Sequence, residues 1–151
     1  MEIIKAQHEH IQDVARLFDL YRQFYQCPAD LALAKHFISE RIVRDESVIF
    51  LAQDPAKNSG QAIGFVQLYP LFCSVDAVKI FILYDLYVEA SGRTLGIGKK
   101  LMQKAASFAK EAGAGRIDLL TAHDNLAGQA LYEKQGYEKV NEDFYAYSLG
   151  L

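Results

Sequence analysis

The sequence predicts a mixed α/β fold: one mostly antiparallel central sheet with helices packed on it. Three observations carry this. Strand-like and helix-like runs alternate along the chain. Two apolar runs, "QAIGFVQLYPLF" and "VKIFILYDLYVE", are long enough to be central strands. The chain has 151 residues, 51% hydrophobic and 23% charged, which suits one domain with a real core. A single domain over residues 1–151 is therefore expected.

The elements follow in order. "EIIKA" reads as a first strand. Val14, Leu17, Phe18, Tyr21 and Phe24 then recur at spacings of three and four, the mark of an amphipathic helix. Pro28 breaks it. Asp30 can cap a second helix with Leu31, Ala34, Phe37, Ile38 and Ile42 on its apolar face. "SVIFLAQ" is a strand and "DPAKNSG" a hairpin turn. The two long strands come next, and Pro70 marks an irregularity or an edge in the first. A third helix carries Ile97, Leu101, Ala105, Phe108 and Ala112 on one face and stops at Gly113. "RIDLLTA" is a strand and "NLAGQALYEKQ" a helix ended by Gly136. "YEKV" and "DFYAYSL" read as two closing strands. The expected order is β-α-α-β-β-β-α-β-α-β-β.

Composition narrows the function. The net charge of −3 speaks against a non-specific nucleic-acid or anionic-membrane binder. The two cysteines, Cys27 and Cys73, form no CxxC pair and no His/Cys cluster, so neither a disulfide framework nor a metal site is expected. The first residues, "MEIIKAQHEH", lack the basic head and apolar core of a signal peptide. A cytoplasmic location, with no nucleic-acid or membrane partner, is the expectation.

One stretch carries chemistry. "GRTLGIGKKL" places Gly96 and Gly98 between a strand and a helix, with Arg93, Lys99 and Lys100 beside them. The first turn of a helix leaves N–H groups without partners, and the helix dipole adds positive potential there. Glycine lets backbone approach a ligand. A phosphate or pyrophosphate suits such a turn. It is not a Walker loop, because Arg93 stands where that motif needs its first glycine. It is not a dinucleotide fingerprint, because Leu101 replaces the third glycine.

"LYVEASGRTLGIGKKLM" resembles the acetyl-CoA-binding motif of the GNAT acetyltransferase superfamily, R/Q-x-x-G-x-G/A, through Arg93, Gly96 and Gly98. Thr94 replaces the glycine that often follows the arginine. "NLAGQALYEKQGYE" is similar to the family's N-x-x-A-x-x-L-Y-E-x-x-G-F segment through Asn125, Leu131, Tyr132, Glu133, Gly136 and Tyr137. Gly128 stands there in place of the usual alanine.

The resemblance implies an acetyl-CoA-dependent N-acetyltransferase without a metal. The coenzyme's pyrophosphate would lie on the N–H groups of Arg93, Thr94, Leu95, Gly96, Ile97, Gly98 and Lys99. Its pantetheine arm would pair with Leu86, Tyr87 and Val88, where the fourth and fifth strands splay apart. Asn125 would bond that arm, and the Tyr132 hydroxyl would face the sulfur. An amine would attack the thioester directly, with N–H donors at Tyr87 and Val88 for the developing oxyanion. Proton transfer from a phenol near pKa 10 to a thiolate near 8.5 is uphill by about 2 kcal/mol, so Tyr132 is expected to orient and hydrogen-bond the sulfur more than it protonates it.

The attacking amine must lose a proton, so a base is needed. Asp85 and Glu89 are the candidates, both in the run "ILYDLYVE". With strict alternation they share a face with Phe81, Leu83 and Tyr87, and a bulge in this strand shifts that parity. A salt bridge is the plainer use of Asp85, and solvent exposure that of Glu89. Relatives hold the acceptor between the first two helices and the middle strands, which implies Tyr21, Tyr25, Glu40, Tyr69 and Tyr84, with Asp85. Phe24 is better read as core. Aromatic faces with an acid suit a cationic amine. A small amine, an amino acid or a peptide lysine all satisfy this. His8, His10 and His36 read as surface or capping residues, and His123 as a loop residue. The long central strands and closing strand pair are compatible with a homodimer. The alternative from another class is a non-catalytic acyl-CoA-binding sensor of the same fold.

Overall fold

The computed structural model describes residues 1–53, 60–140 and 143–151. It forms two compact units, Met1–Leu120 and Thr121–Leu151. The turn expected at 54–60 lies, apart from Gly60, outside the described residues.

The first unit holds β1 (Glu2–Lys5), α1 (Ile11–Phe24), α2 (Leu31–Val43), β2 (Val48–Gln53), β3 (Ala62–Cys73), β4 (Val78–Val88), α3 (Ile97–Glu111) and β5 (Ile117–Asp118). The strands lie side by side in chain order. All neighbours are antiparallel except β4 and β5, which are parallel. Alternation along β2 sorts the core into two layers. Ile49 and Leu51 join Val14 and Leu17 of α1, Ile38 of α2 and Phe65 of β3 in one cluster. Phe50, between them, turns to the other face and meets Phe108 of α3 at 5.7 Å; Phe81 of β4 meets the same ring at 5.6 Å. Helix α3 lies close on the sheet: a Cβ on Gly64 would come 3.4 Å from Leu101 Cδ1 of α3.

The helix ends follow the sequence. The Asp30 carboxylate accepts from the Leu33 N–H at 2.9 Å, which caps α2. Buried Asp19 on α1 accepts from the Asp30 N–H at 2.8 Å, which fixes the turn between the two helices. Pro70 sits opposite Phe81 on β3, beyond the last β2 pair at Leu68, so no β2 ladder bond is lost to its missing N–H.

The irregularity in the long hairpin lies elsewhere. Gln67 pairs with Asp85 but Leu68 pairs with Leu83, so Tyr84 is an extra residue on β4. Before it, Phe81 faces α3. After it, Tyr87 packs on the cluster under α1 and α2. The bulge therefore moves Asp85 and Tyr87 off the face of Phe81 and Leu83.

β4 and β5 pair only at Phe81–Ile117 and Ile82–Asp118. "RIDLLTA" thus forms a far shorter strand than expected. The bulge bends β4 just where the ladder would continue, and among the described residues the β4 edge is left without a strand partner beyond Ile82.

The second unit is built around α4 (Leu126–Lys134). The Asn125 side chain accepts from the Gly128 N–H at 3.1 Å and caps it. The helix closes with the Tyr137 N–H on the Tyr132 carbonyl at 3.1 Å and Gly136 at φ 87°. The closing strands expected at "YEKV" and "DFYAYSL" are not formed by the described residues 137–140 and 143–151. Val140, Phe144, Tyr145, Tyr147 and Leu149 are all exposed. Strand preference is realised only where one face is packed, and apart from Tyr137 these side chains are exposed. Asn141 and Glu142, between the two segments, lie outside the described residues.

Candidate active site

Two features of the first unit stand out. One is a main-chain turn. After β4 the chain makes a short 3-10 turn at Ala90–Gly92 and an exposed turn through Arg93, Thr94, Leu95 and Gly96, and then enters α3. Gly96 is the N-cap at φ 72°, and no side chain caps the helix. The first-turn N–H groups of Ile97, Gly98 and Lys99 have no intrahelical acceptor by helix geometry. No atom lies within 4 Å of a Cβ built on Gly96, so glycine is needed there for its dihedral and not for space. Thr94 also has a positive φ, 69°. A β-branched residue in that region is strained. Left-handed residues alternating with ordinary ones turn successive N–H groups to one side, as in an anion nest. This turn fits a phosphate group.

Arg93 is tied back to the strand. Its Nε donates to the Val88 carbonyl at 3.1 Å, and its guanidinium lies 6.0 Å from the centre of the Tyr87 ring. The Phe81 N–H donates to the Arg116 carbonyl, so residue 81 addresses the β5 side. Alternation carried through the bulge points the polar backbone groups of Leu86 and Val88 to that same side, where the β5 ladder has ended. An extended ligand can pair there as a strand would.

The other feature is a buried acid. Asp85 is 3% exposed, and the Gln67 amide donates to its Oδ2 at 2.5 Å. Burial pushes the carboxyl up to about 6, against the pull of hydrogen bonds from Gln67 and Tyr21. The single Tyr21 hydroxyl proton is shared between that carboxylate and the Tyr84 carbonyl, 3.2 Å away. Tyr21 meets Tyr25 edge-on at 5.1 Å, and Tyr69 meets Tyr84 at 5.7 Å. Burial, and then the Asp85 charge, hold the Tyr21 and Tyr69 hydroxyls far above the ordinary phenol range, so both remain neutral. The result is one carboxylate flanked by tyrosines.

Other expected residues fall elsewhere. Glu89 is ion-paired with Arg16 of α1, which also donates to the Ala62 carbonyl; it anchors the end of β4. Glu40 pairs with Arg44 at 3.2 Å, Arg41 at 3.6 Å and His36 at 3.7 Å, a charge cluster along α2. Phe24 is exposed, contrary to its reading as core, and meets Tyr25 edge-on at 5.3 Å. His10 accepts from the Gln7 N–H at 3.0 Å, a capping role. His123 is exposed. Asn125 gives its oxygen to α4 as the cap and its NH₂ to Thr121 at 3.0 Å. A Cβ on Gly128 would lie 2.4 Å from that NH₂, so glycine in place of alanine leaves room for the folded-back cap. The Tyr132 ring lies 6.3 Å from that of Tyr137, whose hydroxyl is pushed up to about 12 by burial and then by Tyr132. Sequence reasoning missed Ser47, Gln67 and Arg16. A glutamine inside "AIGFVQLYPLF" is the one signal that could have raised Gln67. Among the described residues no cluster of three or more His, Cys, Asp or Glu could hold a metal, and no helix is long and apolar enough to cross a membrane.

A β4 edge left unpaired beyond Ile82 among the described residues, a backbone turn that suits a phosphate and a buried acid thus all lie on or beside one strand. Residues 14–137 match the model of the acetyltransferase (GNAT) family. The chain belongs to that family and is an acyltransferase. It is 40% identical over 139 residues to the uncharacterized N-acetyltransferase YhfO of Bacillus subtilis (strain 168), covering 92% of this chain and 91% of that one. It is 27% identical over 151 residues to a "probable acetyltransferase" of Haemophilus influenzae, covering 100% and 99%. Among solved structures, a "probable acetyltransferase" superposes with a TM-score of 0.90 at 35% identity, covering 100% of this chain and 98% of that one.

Proposed function

We propose that the chain transfers an acetyl group from acetyl-CoA to a cationic primary amine, with Asp85 as the base. The observation that carries this is the buried, tyrosine-flanked carboxylate of Asp85. Acetyl-CoA, when bound, supplies the activated acetyl group. The turn from Arg93 to Lys99 would hold its diphosphate through backbone N–H groups, and the free β4 edge at Leu86 to Val88 would hold its arm. The match from residue 14 to residue 137 draws on both units and supports reading the chain as one domain.

The acceptor arrives as an ammonium, near pKa 10.4 if it resembles lysine. Ionised Asp85 attracts it, and the tyrosine faces add cation–π attraction. Direct transfer of the proton to a carboxyl near 6 is uphill by about 4 pKa units, or roughly 6 kcal/mol. The ammonium therefore loses one proton to solvent before it attacks, and Asp85 takes the second, which becomes acidic as the nitrogen commits its lone pair to the acyl carbon, while the C–S bond breaks and the sulfur leaves as thiolate. Tyr21, Tyr25, Tyr69 and Tyr84 orient the acceptor. Glu89, already paired with Arg16, serves the strand. Tyr132 is assigned to the leaving sulfur by the motif alone.

The test is a thiol-release assay with acetyl-CoA and a panel of small amines, amino acids and lysine peptides. Saturable release that depends on a cationic acceptor is expected. Tight coenzyme binding with no release for any acceptor would overturn the reading in favour of a sensor.

A further inference from the structure

Asp85 is the end of a buried polar chain. Ser47, just before β2, is 7% exposed, and its hydroxyl donates to Gln67 Oε1 at 2.8 Å. Gln67, fully buried on β3, turns its Nε2 to Asp85 Oδ2. The direction of this chain is chemically determined. An ionised carboxylate only accepts. An inverted amide would set Oε1 against it, two acceptors with no proton between them. The Ser47 hydroxyl, donating to Oε1 from the far side, favours the productive orientation. Three polar side chains sunk in an apolar layer are tolerated because each is satisfied by the next.

We propose that Gln67 and Ser47 are positioning residues for Asp85: Ser47 fixes the Gln67 amide, and the amide pins one carboxylate oxygen and leaves the other to the acceptor. This rests on the reading of Asp85 as the base. The groups that bear on Asp85 come from several elements. Tyr21 and its neighbour Tyr25 come from α1, Tyr69 from β3 and Tyr84 from β4 itself. Arg41 on α2 and Glu46 after it act on Tyr69, and are paired to each other at 2.7 Å. Gln67 and Tyr21 are both neutral donors to the carboxylate, and Gln67 is the buried one. Its loss favours the protonated acid.

The experiment follows the Asp85 carboxyl directly. Protein labelled with ¹³C at aspartate carboxyls is titrated by NMR as wild type, Gln67→Met and Ser47→Ala, and the pH profile of kcat/KM is recorded alongside. Met keeps the volume of Gln67 without a donor, and Ser47→Ala is the milder change if Gln67→Met fails to fold. A hydrogen bond to a charged group accounts for about one pKa unit or more. The Asp85 titration is therefore expected to rise by about one unit in Gln67→Met and by less in Ser47→Ala. The acid limb of kcat/KM should follow in both, and Ser47→Thr, which keeps the hydroxyl, should restore it. An unmoved Asp85 titration would overturn the pinning and leave the base reading intact. A titration that moves while the rate limb stays put would instead remove Asp85 as the base, and the positioning role with it.

Discussion

The turn at 93–96 and the floor at Asp85 lie at opposite ends of the same strand segment, and they are built in opposite ways. The turn is exposed and made of backbone. Its useful groups are N–H donors, and its side chains matter mainly for the dihedrals they permit, as at Gly96 and Thr94. The floor is buried and made of side chains, each bonded to the next from Ser47 through Gln67 to Asp85. A ligand with fixed chemistry, a diphosphate, can be held by main chain alone. An amine that must lose a proton needs a tuned acid, and tuning requires burial.

The largest expected effect separates activity from stability. Asp85→Asn removes the proposed base, and kcat should fall by about 10²-fold to 10⁴-fold. The same variant should be more stable at neutral pH. The folded Asp85 titrates near 6, above the ordinary value of about 3.9, so the native state binds this proton more tightly than the unfolded chain does. Stability from this group is therefore greatest at low pH and is lost as pH rises from about 4 to about 6. Removing the charge should recover about 1–3 kcal/mol at pH 7, read as a raised Tm.

Next is the turn. Gly96→Val forces a β-branched residue to φ 72°, a strain of about 1–2 kcal/mol. If the turn reshapes to relieve it, coenzyme affinity should fall about tenfold. The rate at saturating coenzyme should change far less.

The pH dependence distinguishes the regions without mutation. With Asp85 as the proposed base, working as the carboxylate, kcat/KM for the acceptor should rise with pH through about 6. Coenzyme binding, if held by backbone N–H groups as proposed, should show no inflection there.

The smallest effect is at Thr94. Thr94→Gly relieves a left-handed threonine at about 1–2 kcal/mol, and glycine's extra chain entropy offsets about 0.5–1 of it. A net gain of roughly 0.5–1 kcal/mol in a denaturant melt is expected, with coenzyme binding retained.

The contrast also explains what could be read beforehand. The turn was legible because backbone demands leave a compositional mark, glycines at set spacing between a strand and a helix. The helices were legible from periodicity, down to the Asp30 cap. Asp85 was legible only as an anomaly in an apolar run. Its face depended on one inserted residue, Tyr84, which strict alternation places on the wrong side. Ser47 left no pattern, and Gln67 only a polar residue in an apolar run, because they meet only after β2, β3 and β4 have found their register. Glu89 resembled Asp85 in the sequence and differs from it because Arg16, distant in the chain, folds against it. The closing strands had strand-like composition, but exposed side chains gave that preference nothing to pack on.

The division of labour between turn and floor is tested most directly by calorimetric titration of coenzyme A into wild type, Asp85→Asn and Gly96→Val. The account predicts that Asp85→Asn binds as tightly as wild type and that Gly96→Val binds about tenfold more weakly. Equal affinity in Gly96→Val, or a marked loss in Asp85→Asn, would contradict it.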